Sequence, residues 1–267
     1  MYKSAVPLSV YFIVKNEELR LPESLAQAVK VADELIVVDS GSTDRTIEIA
    51  KSFGAKVVHR DWTGFAAQKA YAASLCQYDW VLDLDADEVL SDDVINNIKS
   101  ALARSDLADF AGFKMRWVYV PPFKGHPMVF AKDQWILRFY NKTKAAITDV
   151  EFSNNDRPQV KSGKVENLAG DVLHKSLITL DQLERKYSLL TSNQAADYVK
   201  IGRKISTFRL IVELPLKFLK YYIVDQQFRN GWYGFCVAVI SANRNFMRFA
   251  KAKELSMMIG SQDNKKC

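Results

Sequence analysis

The chain has 267 residues, enough for one large domain or for one domain with an appendage. With 48% hydrophobic and 25% charged residues, and only 11 glycines and 7 prolines, it is neither disordered nor fibrous. The net charge of +6 points to an anionic partner without naming one. Cys76, Cys236 and Cys267 are too widely spaced for a CxxC metal pair or a disulfide framework, which fits a reducing compartment.

Ala5–Val14 is a mostly apolar run that stops at Lys15-Asn16-Glu17-Glu18. No small-x-small cleavage site follows, so the run reads as a buried strand rather than a secretory leader. Its unbroken part, Leu8–Val14, has the pattern of a strand covered on both faces. Next come a helix from about Pro22 to Val31, a strand at Glu34–Val38, and a helix around Ile47–Phe53 stopped by Gly54. A short strand at Lys56–His59, a helix over Gly64–Leu75, a strand at Trp80–Leu84 and a helix over Asp92–Ala103 complete the series. This alternation predicts a parallel α/β sheet, whose ligands bind beyond the carboxyl ends of the strands. Two acidic clusters, Asp39–Asp44 and Asp83–Glu88, fall at such ends.

Asp39-Ser40-Gly41-Ser42-Thr43-Asp44 joins a strand-end carboxylate to a flexible glycine and several hydroxyls. A carboxylate there can accept the N–H of a base or a ribose hydroxyl; a strand-to-helix turn with capping groups explains the same residues. Asp83-Leu84-Asp85-Ala86-Asp87-Glu88 is harder to read as a turn. While the chain stays extended, Asp83, Asp85 and Asp87 point the same way, and three like charges repel unless a cation or donors offset them. Oxygen ligands suit Mg²⁺ or Mn²⁺ shared with a substrate diphosphate. The spacing lacks the glycine and terminal glutamate of an EF-hand. A phosphatase with a nucleophilic aspartate in a DxDx(T/V) motif is the competing reading, although the motif here has Asp87 in the last position and follows the fourth strand, not the first.

The last third differs. Thr179 and Gln182 suit a capping box for a helix running to about Lys200. In Ile205–Asp225, Arg209, Glu213 and Lys217 recur every fourth residue among apolar neighbours, and Pro215 is expected to kink the helix. In Trp232–Phe249, Ser241, Arg244, Asn245 and Arg248 share one face. Lys200–Glu254 carries a net charge of +8, the rest of the chain −2. Such a basic, amphipathic and aromatic-rich region suits an anionic membrane surface; helices packed on the protein or in a dimer are the alternative. The longest uncharged stretch, Asn230–Asn243, is too short to span a bilayer. No nucleic-acid motif accompanies the positive charge.

The ordered set of Asn16-Glu17 after the first strand, Val38-Asp39-Ser-Gly-Ser-Thr-Asp44 after the second and Leu82-Asp83-Leu-Asp85-Ala-Asp87-Glu88 after the fourth resembles family 2 glycosyltransferases over roughly residues 6–175. The downstream pattern is closer to bacterial enzymes that add glucose to the inner core of lipopolysaccharide or lipooligosaccharide. The resemblance implies an α/β fold of the GT-A type, a mostly parallel sheet flanked by helices, over 1–178. A C-terminal amphipathic helical region would occupy 179–267. It implies an inverting transfer from a UDP-sugar, with a divalent metal, Mg²⁺ or Mn²⁺, on the departing diphosphate. By residue-wise match, Asn16, Glu17, Asp39, Ser42, Lys69 and Asp85 belong to the donor site, and Asp87, Asp85 and His174 to the metal. For Lys69 a solvated helix lysine, and for His174 a core histidine, are the plainer explanations. Arg138, in Trp135–Phe139, is grouped with the donor site or an anionic acceptor, structural pairing being the alternative. The base is expected in Asn154–Val160, where Asp156 is the first choice and Glu151 the second. The aromatic stretch Trp117–Phe130 suits an acceptor-side loop or core packing. A lipid-linked glycan acceptor and a peripheral position on the cytoplasmic face of the inner membrane complete the expectation. An acidic-cluster phosphotransferase and a catalytically silent nucleotide-binding scaffold are the competing classes.

Overall fold

The computed structural model describes residues 6–121, 128, 134–148, 156–175, 179–203 and 205–263, with side chains through Ile259. It divides into two compact units, one holding the sheet and the first four α-helices, the other the three C-terminal α-helices.

In the first unit β1 (Leu8–Val14), β2 (Glu34–Asp39), β3 (Lys56–His59) and β4 (Trp80–Asp85) are parallel, with β1 between β2 and β4 and β3 outside β2. α1 (Leu21–Ala28), α2 (Thr46–Ser52) and α3 (Phe65–Leu75) make the connections, and α4 (Asp92–Leu102) follows. The apolar run of β1 is covered on both faces, as expected. Leu8, Val10, Phe12 and Val14 join a cluster with Leu25 of α1 and Ile98 of α4, while Tyr11 joins another with Ala72 of α3. Gly54, at φ +78°, ends α2 in a conformation that side chains resist. Ser91 caps α4 by accepting the Val94 N–H, and Asp92 and Asp93 occupy its first turn.

Beyond β4 the sheet becomes mixed. β5 (Glu88–Leu90), β6 (Phe110–Tyr119), β7 (Gln134–Asn141) and a later strand, Lys164–His174, extend it, with short β8 (Ala145–Ala146) and β9 (Gln159–Val160) pairing separately. The later strand is β10. The order is β3-β2-β1-β4-β7-β6-β10-β5; β7 is antiparallel to β4 and β6, β10 parallel to β6, and β5 antiparallel to β10. Trp117, expected in an acceptor-side loop or in core packing, lies on β6, paired with β7 and β10 and packed against the core; most of the stretch to Phe130 lies outside the described residues.

The second unit contains α5 (Leu180–Lys200), α6 (Thr207–Leu219) and α7 (Gly231–Asp263), with α5 and α6 both packed on α7. The Thr179 hydroxyl accepts the Gln182 N–H at 3.2 Å, the cap expected for α5. Pro215 sits inside α6 without ending it; the helix passes into a π-helical turn at Lys220–Val224. No described helix is long and apolar enough to cross a membrane.

Candidate active site

The chain proceeds from β1 to β2 and β3, then returns to β4 on the other side of β1. That reversal opens a crevice at the carboxyl ends of the strands. Asp39 pairs with Val14 and Asp85 with Ile13, so the two acidic clusters occupy one rim, two strands or about 10 Å apart.

The Asp39 turn is closed on itself. The carboxylate is buried and accepts the Gly41 N–H at 2.9 Å, the Ser42 N–H at 3.0 Å and the Ser42 hydroxyl. Ser42 Oγ in turn accepts the Asn16 N–H, and Asn16 Oδ1 accepts the Thr43 N–H at 2.8 Å. Asn16 is held at φ 55°. Buried Gln68 of α3 donates to Ser40 Oγ at 2.8 Å and to the Arg60 carbonyl at 3.0 Å. Asn16, Asp39 and Ser42 therefore form one brace between the loops after β1 and β2.

The second cluster is a buried ion network. Asp83 and Asp85 do lie on one face of β4, towards α3. Arg138, reaching from β7, donates to Asp83 at 2.7 Å and, through its other terminal nitrogen, to Asp85 and Glu88 at 3.0 Å each. Lys69 of α3 is fully buried with Nζ 3.2 Å from Asp83, 2.9 Å from Asp85 and 3.0 Å from Asp156. Neither a solvated lysine nor an arginine open to a ligand is seen. The like charges expected to need a cation are offset by these two side chains. Burial opposes ionisation of Asp85, but Lys69 and Arg138 outweigh it and hold its carboxyl well below the usual range. Burial pushes Glu88 up to about 8 against the pull of Arg138, and raises Asp83 as well. Burial and Arg138 disfavour the Lys69 charge, yet the three carboxylates raise its pKa above the ordinary value.

Asp87 points elsewhere because the chain turns after Asp85. Glu88 Oε2 accepts the Asp85 N–H at 3.1 Å, and the Ser24 hydroxyl of α1 donates to the Glu88 carbonyl. This turn separates Asp87 from the Asp83–Asp85 face. Glu88 of β5 pairs with His174 of β10, which brings His174 Nε2 to 3.3 Å from Asp87. Burial alone would raise the Asp87 carboxyl, but the hydrogen bond from His174 holds it below the usual value. The Trp117 ring lies over His174 at a centroid distance of 3.9 Å, and Arg20, which grips Glu17 at 2.7 and 2.8 Å, comes within 3.9 Å of Asp87.

One carboxylate and one imidazole fit a divalent cation that takes its remaining donors from a diphosphate and water. Among the described residues no group of three or more His, Cys, Asp or Glu side chains is arranged to hold a metal ion by itself. Asp85, grouped with the metal by resemblance, is bound instead to Lys69 and Arg138, and Glu17 to Arg20. Glu151 lies outside the described residues; Asp156 joins the network through Lys69. Sequence reasoning gave no role to Arg20 and none of its own to Glu88 within the acidic cluster, and it did not place Trp117 over His174. The DADE sequence was a signal for Glu88, but its strand pairing had no local mark. Asp83, the nucleophile that a phosphatase reading would need, is 1% exposed and clamped by two cations, which excludes it as an open nucleophile.

Fold and site together define an α/β protein whose ligand crevice carries an acidic rim. Residues 9–156 match the glycosyl transferase family 2 domain, and the chain belongs to that family. Its mixed sheet, mostly parallel and flanked by helices, agrees with the architecture expected from the resemblance. A Rickettsia typhi protein described as an uncharacterized glycosyltransferase is 35% identical over 256 residues, covering 94% of this chain and 88% of the relative. The lipopolysaccharide core biosynthesis glycosyltransferase LpsC of Rhizobium meliloti is 29% identical over 256 residues, covering 92% of each. Glucosyl-3-phosphoglycerate synthase from Mycobacterium tuberculosis, solved with Mn²⁺ and UDP-glucose, is 18% identical with a TM-score of 0.44, covering 76% of this chain and 82% of that one.

Proposed function

We propose that this transferase moves a sugar, glucose by resemblance, from a UDP-sugar to a lipopolysaccharide-core or other lipid-linked glycan, with inversion at the anomeric carbon. The observation that carries the donor side is the pairing of Asp87 with His174 on the rim that also holds Asp39. LpsC, similar over nearly its whole length, is named for lipopolysaccharide core biosynthesis, which supports the acceptor class. The enzyme would work peripherally on the cytoplasmic face of the inner membrane, where a lipid-linked acceptor is presented.

Asp87 and His174 would hold Mg²⁺ or Mn²⁺. Such an ion neutralises charge growing on the departing diphosphate. The chain's own groups act around it. The braced Asp39–Ser42 turn shapes the nucleoside end of the crevice, with Asn16 fixing its edge. Arg138 and Lys69 keep Asp85 ionised and the turn rigid, so that Asp87 is aimed before the donor arrives. Asp156, on the segment between β8 and β9 and tied to Lys69, is the group assigned to take the acceptor hydroxyl's proton, with Glu151 the second choice. No covalent enzyme intermediate is needed for an in-line displacement.

A screen of nucleotide sugars for UDP release, with Mn²⁺ or Mg²⁺ and with EDTA, tests the donor and the cation. UDP release from no sugar nucleotide, or undiminished release in EDTA, would overturn those parts. Asp156→Asn should reduce transfer by 10²-fold or more while UDP affinity stays within about two-fold. Full transfer by that variant would remove Asp156 as the base.

A further inference from the structure

A helix packed on a neighbour in water turns its apolar face inward. α6 departs from this: Phe218 meets Phe235 of α7 at 5.6 Å, but the residue that the helix buries most deeply, Glu213, is charged. Its polar stripe lies against α7. Glu213 is 7% exposed, with Arg248 Nη2 of α7 at 3.7 Å and Arg209 Nε of its own helix at 3.8 Å. The Arg209 guanidinium lies over the Phe249 ring of α7 at 4.2 Å. Buried Asn245 of α7 donates to the Tyr221 hydroxyl at 2.8 Å, continuing the seam into the π-helical turn. The outer side is apolar. Phe208 is 74% exposed and Ile211 69%, and Leu216, Leu219, Ile223 and Val224 are exposed with them.

Charge selects what covers this face. Lys220, in the turn that continues the face and 3.5 Å from Asp225, and Arg229 are exposed, and residues 200–254 carry +8. A second copy would bring the same positive charge to the contact, whereas anionic lipid headgroups complement it. Thirteen helical residues reach about 20 Å, and no described helix is long and apolar enough to cross a bilayer, so the helix fits the plane of the interface.

We propose that the outward apolar face of α6 and the turn after it enters the surface of an anionic bilayer, while the Arg209–Glu213–Arg248 seam keeps the polar groups against α7. This deepens the proposed function by naming the membrane-contacting surface; it rests on the lipid-linked acceptor for its purpose, and on the inverted polarity for its grounds. The full chain is to be floated with vesicles of phosphatidylcholine alone and of phosphatidylcholine with 30% phosphatidylglycerol. The unchanged chain should bind the anionic vesicles at least ten-fold better, and lose that preference in 0.5 M salt. Ile211→Asn with Leu219→Asn should weaken binding at least ten-fold, with circular dichroism and UDP release from a soluble donor unchanged. Phe208→Ser, at the exposed start of the helix, serves where the double variant misfolds. The proposal is overturned if the unchanged chain stays off anionic vesicles or if a folded variant binds them as well as it does. It is equally overturned if the variant breaks a lipid-free dimer, seen by light scattering, without affecting vesicle binding. Vesicle binding that depends on these residues, in a chain that releases UDP from no nucleotide sugar, supports the surface and counts against the transfer reaction alone.

Discussion

Both units bury charge, and they do so in opposite ways. Around β4, Lys69 and Arg138 are closed in with Asp83, Asp85 and Glu88, each cation meeting carboxylates at 2.7–3.2 Å. Along α6 the seam is loose. Its ion pairs stand at 3.7 and 3.8 Å, and Arg209 keeps 44% of its side chain exposed. The tight network fixes one turn, beyond which Asp87 meets His174 and Arg20 instead of Lys69 and Arg138. The loose seam turns the apolar side of a helix outward. Buried ionic groups thus serve aim in one unit and polarity in the other, and their geometry separates the two uses better than their residue types do.

The contrast should be plainest in stability. Arg138→Leu leaves Glu88 without its cation and Asp83 and Asp85 with Lys69 alone, and breaking a buried pair costs about 3–5 kcal/mol. Urea unfolding should register this as a lower midpoint; a loss below about 1 kcal/mol would mean that the network is not the scaffold of the turn.

An intermediate effect is expected from pH. Folded Glu88 keeps its proton up to about 8, while an unfolded glutamate releases it near the ordinary value of 4.5. Between these values the folded state binds more protons, so this contribution is full below the lower value and is lost as pH rises through the upper one. In EDTA-treated protein the urea midpoint should therefore fall from pH 6 to pH 9, and Glu88→Gln should flatten that fall. An equal slope in the variant would assign the dependence to other groups.

The smallest effect belongs to the seam. Glu213→Leu leaves Arg209 largely to water and Arg248 over the Phe249 ring at 4.6 Å, and a loose, partly exposed pair contributes about 1 kcal/mol or less. A loss as large as that of Arg138→Leu would erase the distinction drawn between the units.

Much of the site was legible beforehand because its signals are local. Apolar runs with β-strand length, alternating with helical segments, locate β1 to β4, and a carboxylate at a strand's end is on the rim wherever the sheet is parallel. Hence Asp39 and Asp85 were expected at one edge, and Val14 and Ile13 put them there. Asp87 was expected to point with Asp83 and Asp85; it does not, since alternation holds only until the chain turns. Arg138 lies 55 residues from Asp83, and His174 reaches Asp87 through an antiparallel pairing of β5 and β10. Neither contact has a period or a spacing that a sequence displays. The repeat of Arg209, Glu213 and Lys217 showed that α6 has a polar stripe, as any helix with that spacing must. Which side of the stripe meets α7 depends on the partner's own polar groups, Asn245 and Arg248, and such a choice exists only once two helices are packed together.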